Sequence, residues 1–160
     1  MAQSTFVYEI YIRTTPEKLW QALTTTELLK RYWMGYSIES DWAVGSPWRT
    51  VSPDGGLSDS GEILESVPQK RLVIKSRNEG RPEFKAEGYS NFVYEIEPLG
   101  ASVKLAITHS IEQPHSPFIA AVSHAWPMVV SNLKSLLETG EVALIDRPRH
   151  VTGARGYTGN

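Results

Sequence analysis

The sequence predicts an α+β domain in which one long C-terminal helix covers an antiparallel sheet of about six to seven strands, with two short helices after the first strand. Three observations carry that prediction. From Tyr36 to Ser110 apolar residues recur with a period of two, short turn signals cut this stretch at close intervals, and a helical spacing runs from 116 to 138.

Residues 6 to 13 alternate, with Phe6, Tyr8, Ile10 and Ile12 on one face of a first strand. Thr14 or Thr15 suits the N-cap of the next helix, Pro16 its first turn, and Glu17 the positive end of its dipole. Leu19, Trp20 and Leu23 share a face of that helix. Thr26 is placed to cap a second short one, ELLKRYW, with Leu28, Leu29, Tyr32 and Trp33 on its apolar side. The period then changes to two. Turn signals stand at 44–47 (VGSP), 53–56 (PDGG), 67–70 (VPQK) and 98–101 (PLGA), and connections this short require antiparallel neighbours. The polar run 77–87, RNEGRPEFKAE, suits an exposed loop or strand ends.

In 116–138, Val122, Trp126, Val129, Leu133, Leu136 and Leu137 lie three or four apart, and Gly140 is a natural stop. Pro127 interrupts the pattern. An interior proline costs about 3 kcal/mol, so a kink at Trp126 or a fresh helix starting near Pro127 is expected. Residues 1–140 therefore form one domain, and 141–160, with Arg147, Arg149 and Arg155 among glycines, read as a flexible tail.

Composition narrows the chemistry. The chain carries 16 Lys and Arg against 18 Asp and Glu, which gives no broad footprint for nucleic acid. Without cysteine there is no disulfide, no thiolate nucleophile and no Cys-held metal. The N-terminus has no apolar leader, and no run of about 18 apolar residues occurs, so a cytoplasmic protein with no membrane insertion is expected. The four histidines, His109, His115, His124 and His150, show no metal-ligand spacing, and neither a metal nor a cofactor is expected. No GxSxG elbow exists, and Gly55-Gly56 lacks the Lys-Ser/Thr of a phosphate loop. Glu39 with Asp41, and Glu95 with Glu97, share the solvated faces of their strands.

Five tryptophans, seven tyrosines and four phenylalanines remain to be placed. A sheet that curls around one helix touches it along a line, and concave-face residues beyond that line border a cavity. Strand parity puts Phe92, Tyr94 and Ile96 on one face, and likewise Ile107 and His109. The expected lining is Trp33, Trp42, Trp48, Phe92, Tyr94, Ile107, His109, Trp126 and Val129, with Trp20 in plain packing. A filled core with scattered surface aromatics fits the same composition.

Read together, TTPEKLWQALTTTELLKRYW, VGSPWR, GEILESVPQKRLVIKS, NFVYEIEPLGASVKLAITHS and AWPMVVSNLKSLLETG resemble the successive signatures of the START-like (SRPBCC) superfamily. The nearer resemblance is to the branch named after the C-terminal domain of the activator of the ninety-kilodalton heat-shock protein's ATPase. It implies a helix-grip fold, a curved antiparallel sheet wrapped around the C-terminal helix, with a cavity that in relatives holds lipids, sterols or polyketides. Ala125-Trp126 stands for the family's Gly-Trp, and Tyr32-Trp33 for its paired Trp, which puts the shape of the pocket mouth in question. The function so implied is binding of a small apolar ligand. The alternatives are a polyketide cyclase or dehydratase using His109 or His124, and a chaperone-linked interaction module.

Overall fold

The fold is built on a strand, two short helices, six more strands and a final helix, in a computed structural model that describes residues 2–147. Strand β1 (Ser4–Ile12) keeps Phe6, Tyr8, Ile10 and Ile12 inward, as its alternation requires. Thr15 caps α1 (Pro16–Thr24) by accepting from the Lys18 amide at 3.2 Å, with Pro16 in the first turn. The cap of α2 (Thr26–Tyr32) is a correction. Thr25, not Thr26, is its N-cap, because the Thr26 hydroxyl donates instead to the Ile38 carbonyl at 3.2 Å.

Strands β2 (Ser37–Ser40), β3 (Pro47–Val51), β4 (Leu57–Val67), β5 (Arg71–Asn78), β6 (Ser90–Leu99) and β7 (Ser102–Ile111) follow. They form one antiparallel sheet in the order β1-β7-β6-β5-β4-β3-β2, so the first strand closes against the last. The stretch 77–87 holds the end of β5 and a helical turn, α3 (Pro82–Lys85), whose Phe84 is buried. Two register shifts, at Thr50/Val51 and at Ile63/Glu65, bend the sheet, since an extra residue on one strand raises the local twist.

Gly61 of β4 permits the closest backbone approach in this bend. A Cβ there would lie 1.7 Å from the Lys75 carbonyl oxygen and 2.6 Å from its carbon. Gly61 pairs with Trp48 on one side and Ser76 on the other, so it sits inside the curved wall.

Helix α4 (Pro117–Thr139) runs through Pro127 as one helix, and the expected fresh start does not occur. Its apolar face, with Trp126, Val129, Val130, Leu133 and Leu136 buried, explains the continuity: each such residue contributes about 1.5–3 kcal/mol, enough together to outweigh one lost turn bond. That face meets Leu72, Ile74, Ile96, Val103, Leu105 and Ile107 from the concave side of the sheet. The helix N-terminus is held by its own Ser116, by Ser4, and by Glu87, whose carboxylate accepts from the Phe118 amide at 3.0 Å. Gly140 ends the helix in the left-handed region (φ 87°), its amide bonded to Leu136.

Residues 141–147 do not hang free. Fully buried Asn132 donates to the Leu144 carbonyl at 2.8 Å and accepts from the Leu144 amide at 2.7 Å, and it also reaches the Tyr32 carbonyl at 3.3 Å. This clamp lays the segment across the α2 and α4 ends and brings Arg147 beside Met34 and Tyr36. The remainder of the expected tail, with Arg149, His150 and Arg155, lies outside the described residues. Asn132→Ala removes three hydrogen bonds around one buried amide, and a loss of about 2 kcal/mol in urea unfolding is expected. The Leu144 amide should then exchange much faster with solvent, and an unchanged exchange rate would show that the clamp does not hold the segment.

Candidate functional site

Where α4 leaves the sheet, a cavity of about 100 Å³ opens between the two. Helical spacing puts Val122, Ala125, Trp126 and Val129 on one face of α4 and hence on the cavity. Opposite them, Phe92 and His109 are cross-strand partners on β6 and β7. Trp48 and Thr50 of β3, and Ser76 and Asn78 of β5, enter from alternate positions of their strands. Trp33, Met34 and Tyr36 close the end at the exit of α2. Met34 occupies the left-handed region (φ 53°), a backbone strain of about 1–2 kcal/mol, at a residue that forms the mouth.

The rings are arranged edge to face. Centroids of Trp33 and Trp126, Phe92 and Trp126, and Trp48 and Phe92 each lie 5.5 Å apart, at interplanar angles of 71°, 61° and 67°. The buried Trp33 indole N–H is directed to the Tyr32 hydroxyl without forming a well-aligned hydrogen bond.

His109 is held from both sides. The Trp126 indole N–H donates to Nδ1 at 3.1 Å, and because an indole can only donate, Nδ1 carries no proton. The ring is therefore the Nε2–H tautomer, which donates to the Ser90 hydroxyl at 2.9 Å; Ser90 in turn donates to the Ser76 carbonyl at 3.3 Å. This chain ties α4 to β7, β6 and β5. Burial lowers the His109 pKa to about 3, so it stays neutral at pH 7.

The polar end is acidic. Asp59 accepts from Thr50 Oγ1 at 2.8 Å, Ser58 Oγ at 3.1 Å and Asn78 Nδ2 at 3.3 Å, and burial raises its pKa. The mouth leads through Met34, Tyr36, Ser58 and Arg147 into an outer hollow of about 450 Å³ that also touches Pro53, Asp54 and Asp146. Burial raises the pKa of Tyr36, against an opposing hydrogen bond from Arg147.

Of the expected lining, Trp33, Trp48, Phe92, His109, Trp126 and Val129 stand on the cavity wall. Trp42, Tyr94 and Ile107 do not. Tyr94 and Ile107 have the right parity but lie farther along their strands, in the core beneath α4. Trp42 (φ 63°) sits in the β2–β3 connection and packs on the core edge. Tyr32 departs from the mouth as well, since its buried hydroxyl donates to the Ala22 carbonyl at 2.7 Å. Ala125 does line the cavity, while His124 is exposed and off its wall. Met34, Tyr36, Thr50, Ser58, Asp59, Asn78 and Arg147 are wall residues that the lining expected from spacing left out.

A curved seven-stranded sheet that grips a long C-terminal helix over an interior cavity defines a START-like helix-grip protein. The chain belongs to the family described as Activator of Hsp90 ATPase homolog 1-like protein, which it matches over residues 13–138. Among solved structures it is similar to protein MLL2253 from Mesorhizobium loti, at 26% identity and TM-score 0.74, covering 87% of this chain and 100% of that one. It is also similar to the Aha1 dimer from Colwellia psychrerythraea, at 24% identity and TM-score 0.70 over 86% and 98% of the two chains. PFC0360w, an HSP90 activator from Plasmodium falciparum, aligns at 22% identity and TM-score 0.69 over 83% and 95%. No curated protein sequence matches. Among the described residues no helix is long and apolar enough to cross a membrane.

Proposed function

We propose that the protein is a non-enzymatic binder of a small, largely apolar ligand of lipid, polyketide or aromatic type, held between the curved sheet and α4. The observation that supports this reading is the aromatic cavity itself, walled by Trp33, Trp48, Phe92 and Trp126 between sheet and helix. Its size sets the binding mode. Ligand pockets start at roughly 300 Å³, so a cavity of about 100 Å³ takes one compact end of the ligand, and the rest extends past Met34 and Tyr36 into the outer hollow of about 450 Å³. A catalytic histidine finds no support, because both nitrogens of His109 are engaged and His124 lies outside. In a titration with fatty acids and planar aromatics, a binder is expected to quench indole emission and raise Tm, with about 2.7 kcal/mol of stabilisation at a hundredfold excess over Kd. If no ligand moves either signal, the cavity is not a binding site.

The family description favours a second reading, contact with a heat-shock ATPase. It predicts faster ATP hydrolysis by the purified chaperone when this protein is added. An unchanged rate with no complex on gel filtration removes it.

A further inference from the structure

We propose that the ligand carries a compact organic cation, an amine or ammonium group, that docks on Asp59 within the aromatic walls of the cavity; this rests on the binding function proposed above.

Asp59 is a carboxylate on the cavity wall served only by neutral donors, the two hydroxyls of Thr50 and Ser58 and the amide of Asn78. Two of these bonds reach Oδ2 and one reaches Oδ1. A carboxylate offers about four acceptor sites, so one on Oδ1 is unused. No Lys or Arg among the described residues forms an ion pair with it. A half-buried carboxylate without a counter-charge still pays for lost water, and a cation is the partner that relieves it most. The remaining walls suit the same guest. Trp33, Trp48, Phe92 and Trp126 surround the space, and aromatic faces attract an ammonium through their quadrupoles. An anionic head would meet Asp59 as a like charge. A purely apolar guest would strip water from the carboxylate and return nothing. The volume agrees too, since a cavity of about 150 Å³ admits benzene, and about 100 Å³ holds a head of a few heavy atoms.

The test is a titration of the full chain at pH 7 with n-butylamine, 1-butanol and butyrate, read by indole emission and Tm. Butylamine is expected to bind at least tenfold tighter than 1-butanol, as a charge-assisted hydrogen bond requires, and butyrate weakest. Asp59→Asn should remove that preference, bringing the affinities for butylamine and 1-butanol to within about twofold of each other. Equal binding of all three by the unaltered protein overturns the cation site and leaves the container function standing. Tightest binding of butyrate overturns it likewise, and no binding of any probe overturns both. Should Asp59→Asn fail to fold, the comparison on the unaltered protein still decides.

Discussion

Gly61→Ala is expected to abolish the folded state, with a loss above about 4 kcal/mol and little soluble protein. The added methyl would stand 1.7 Å from the Lys75 carbonyl oxygen and 2.9 Å from the Ser76 Cα, and these are backbone atoms of a paired strand that no rotamer change can move. Relief requires β4 and β5 to separate between the Trp48 and Ser76 pairs, which are cavity wall residues. Gly80→Ala is the matched control. Its Cβ meets nothing nearer than the Leu57 carbonyl at 3.8 Å, and its stability should change by less than about 0.5 kcal/mol. Circular dichroism and urea titration of both variants settle the comparison. A folded Gly61→Ala protein with near-normal stability would mean that the sheet is not bent as described.

The second large effect is a pH dependence centred on His109. Its folded pKa of about 3 lies below the ordinary 6.5, because burial disfavours the imidazolium and both nitrogens are committed. Between those values the unfolded chain binds a proton that the native state refuses, so stability falls as pH falls. The slope is about 1.4 kcal/mol per pH unit, giving a loss of about 3 kcal/mol from pH 7 to pH 4.5. Five carboxyls among the described residues also shift in the acid range; Asp54, Glu83 and Glu138 are lowered by hydrogen bonds, and stability they contribute is lost as pH falls. Glu79, held at about 2 chiefly by the Arg77 hydrogen bond, loses its contribution only as pH falls from 4.5 toward 2. Asp59, with its pKa raised by burial, acts in the opposite direction. Comparison with His109→Gln cancels all five, since a glutamine amide can accept from Trp126 and donate to Ser90. The gap in urea stability between the original protein and this variant should therefore shift by about 3 kcal/mol between pH 7 and pH 4.5. Parallel pH curves would mean that His109 is solvated.

The fold was legible because its signals are local and agree with one another. The period of two, the turn residues and the spacing of Val122, Trp126, Val129 and Leu133 each specify a backbone geometry without reference to distant contacts. The exceptions arise where a tertiary contact decides. Thr26 looks like an N-cap until Ile38 offers its carbonyl, and Pro127 looks like a break until the buried face of α4 outweighs it. At the site, the aromatic half was legible and the polar half was not. Parity identifies the concave face, yet it does not tell how far along a strand the helix extends, so Tyr94 and Ile107 fall in the core while Phe92 and His109 face the cavity. Asp59 shares the wall with its sequence neighbour Ser58, a departure from alternation near the Thr50/Val51 register shift. Arg147 arrives through the Asn132 clamp, in a segment that composition reads as loose.

The role of the cavity is tested most directly by the five indole N–H resonances in an NMR titration with n-butylamine. Trp33, Trp48 and Trp126 line the cavity, whereas Trp20 and Trp42 pack elsewhere on the core. Ligand entry should move the first three resonances saturably and leave the other two in place. Shifts confined to Trp20 and Trp42, or no saturable shift at all, would contradict binding at this site.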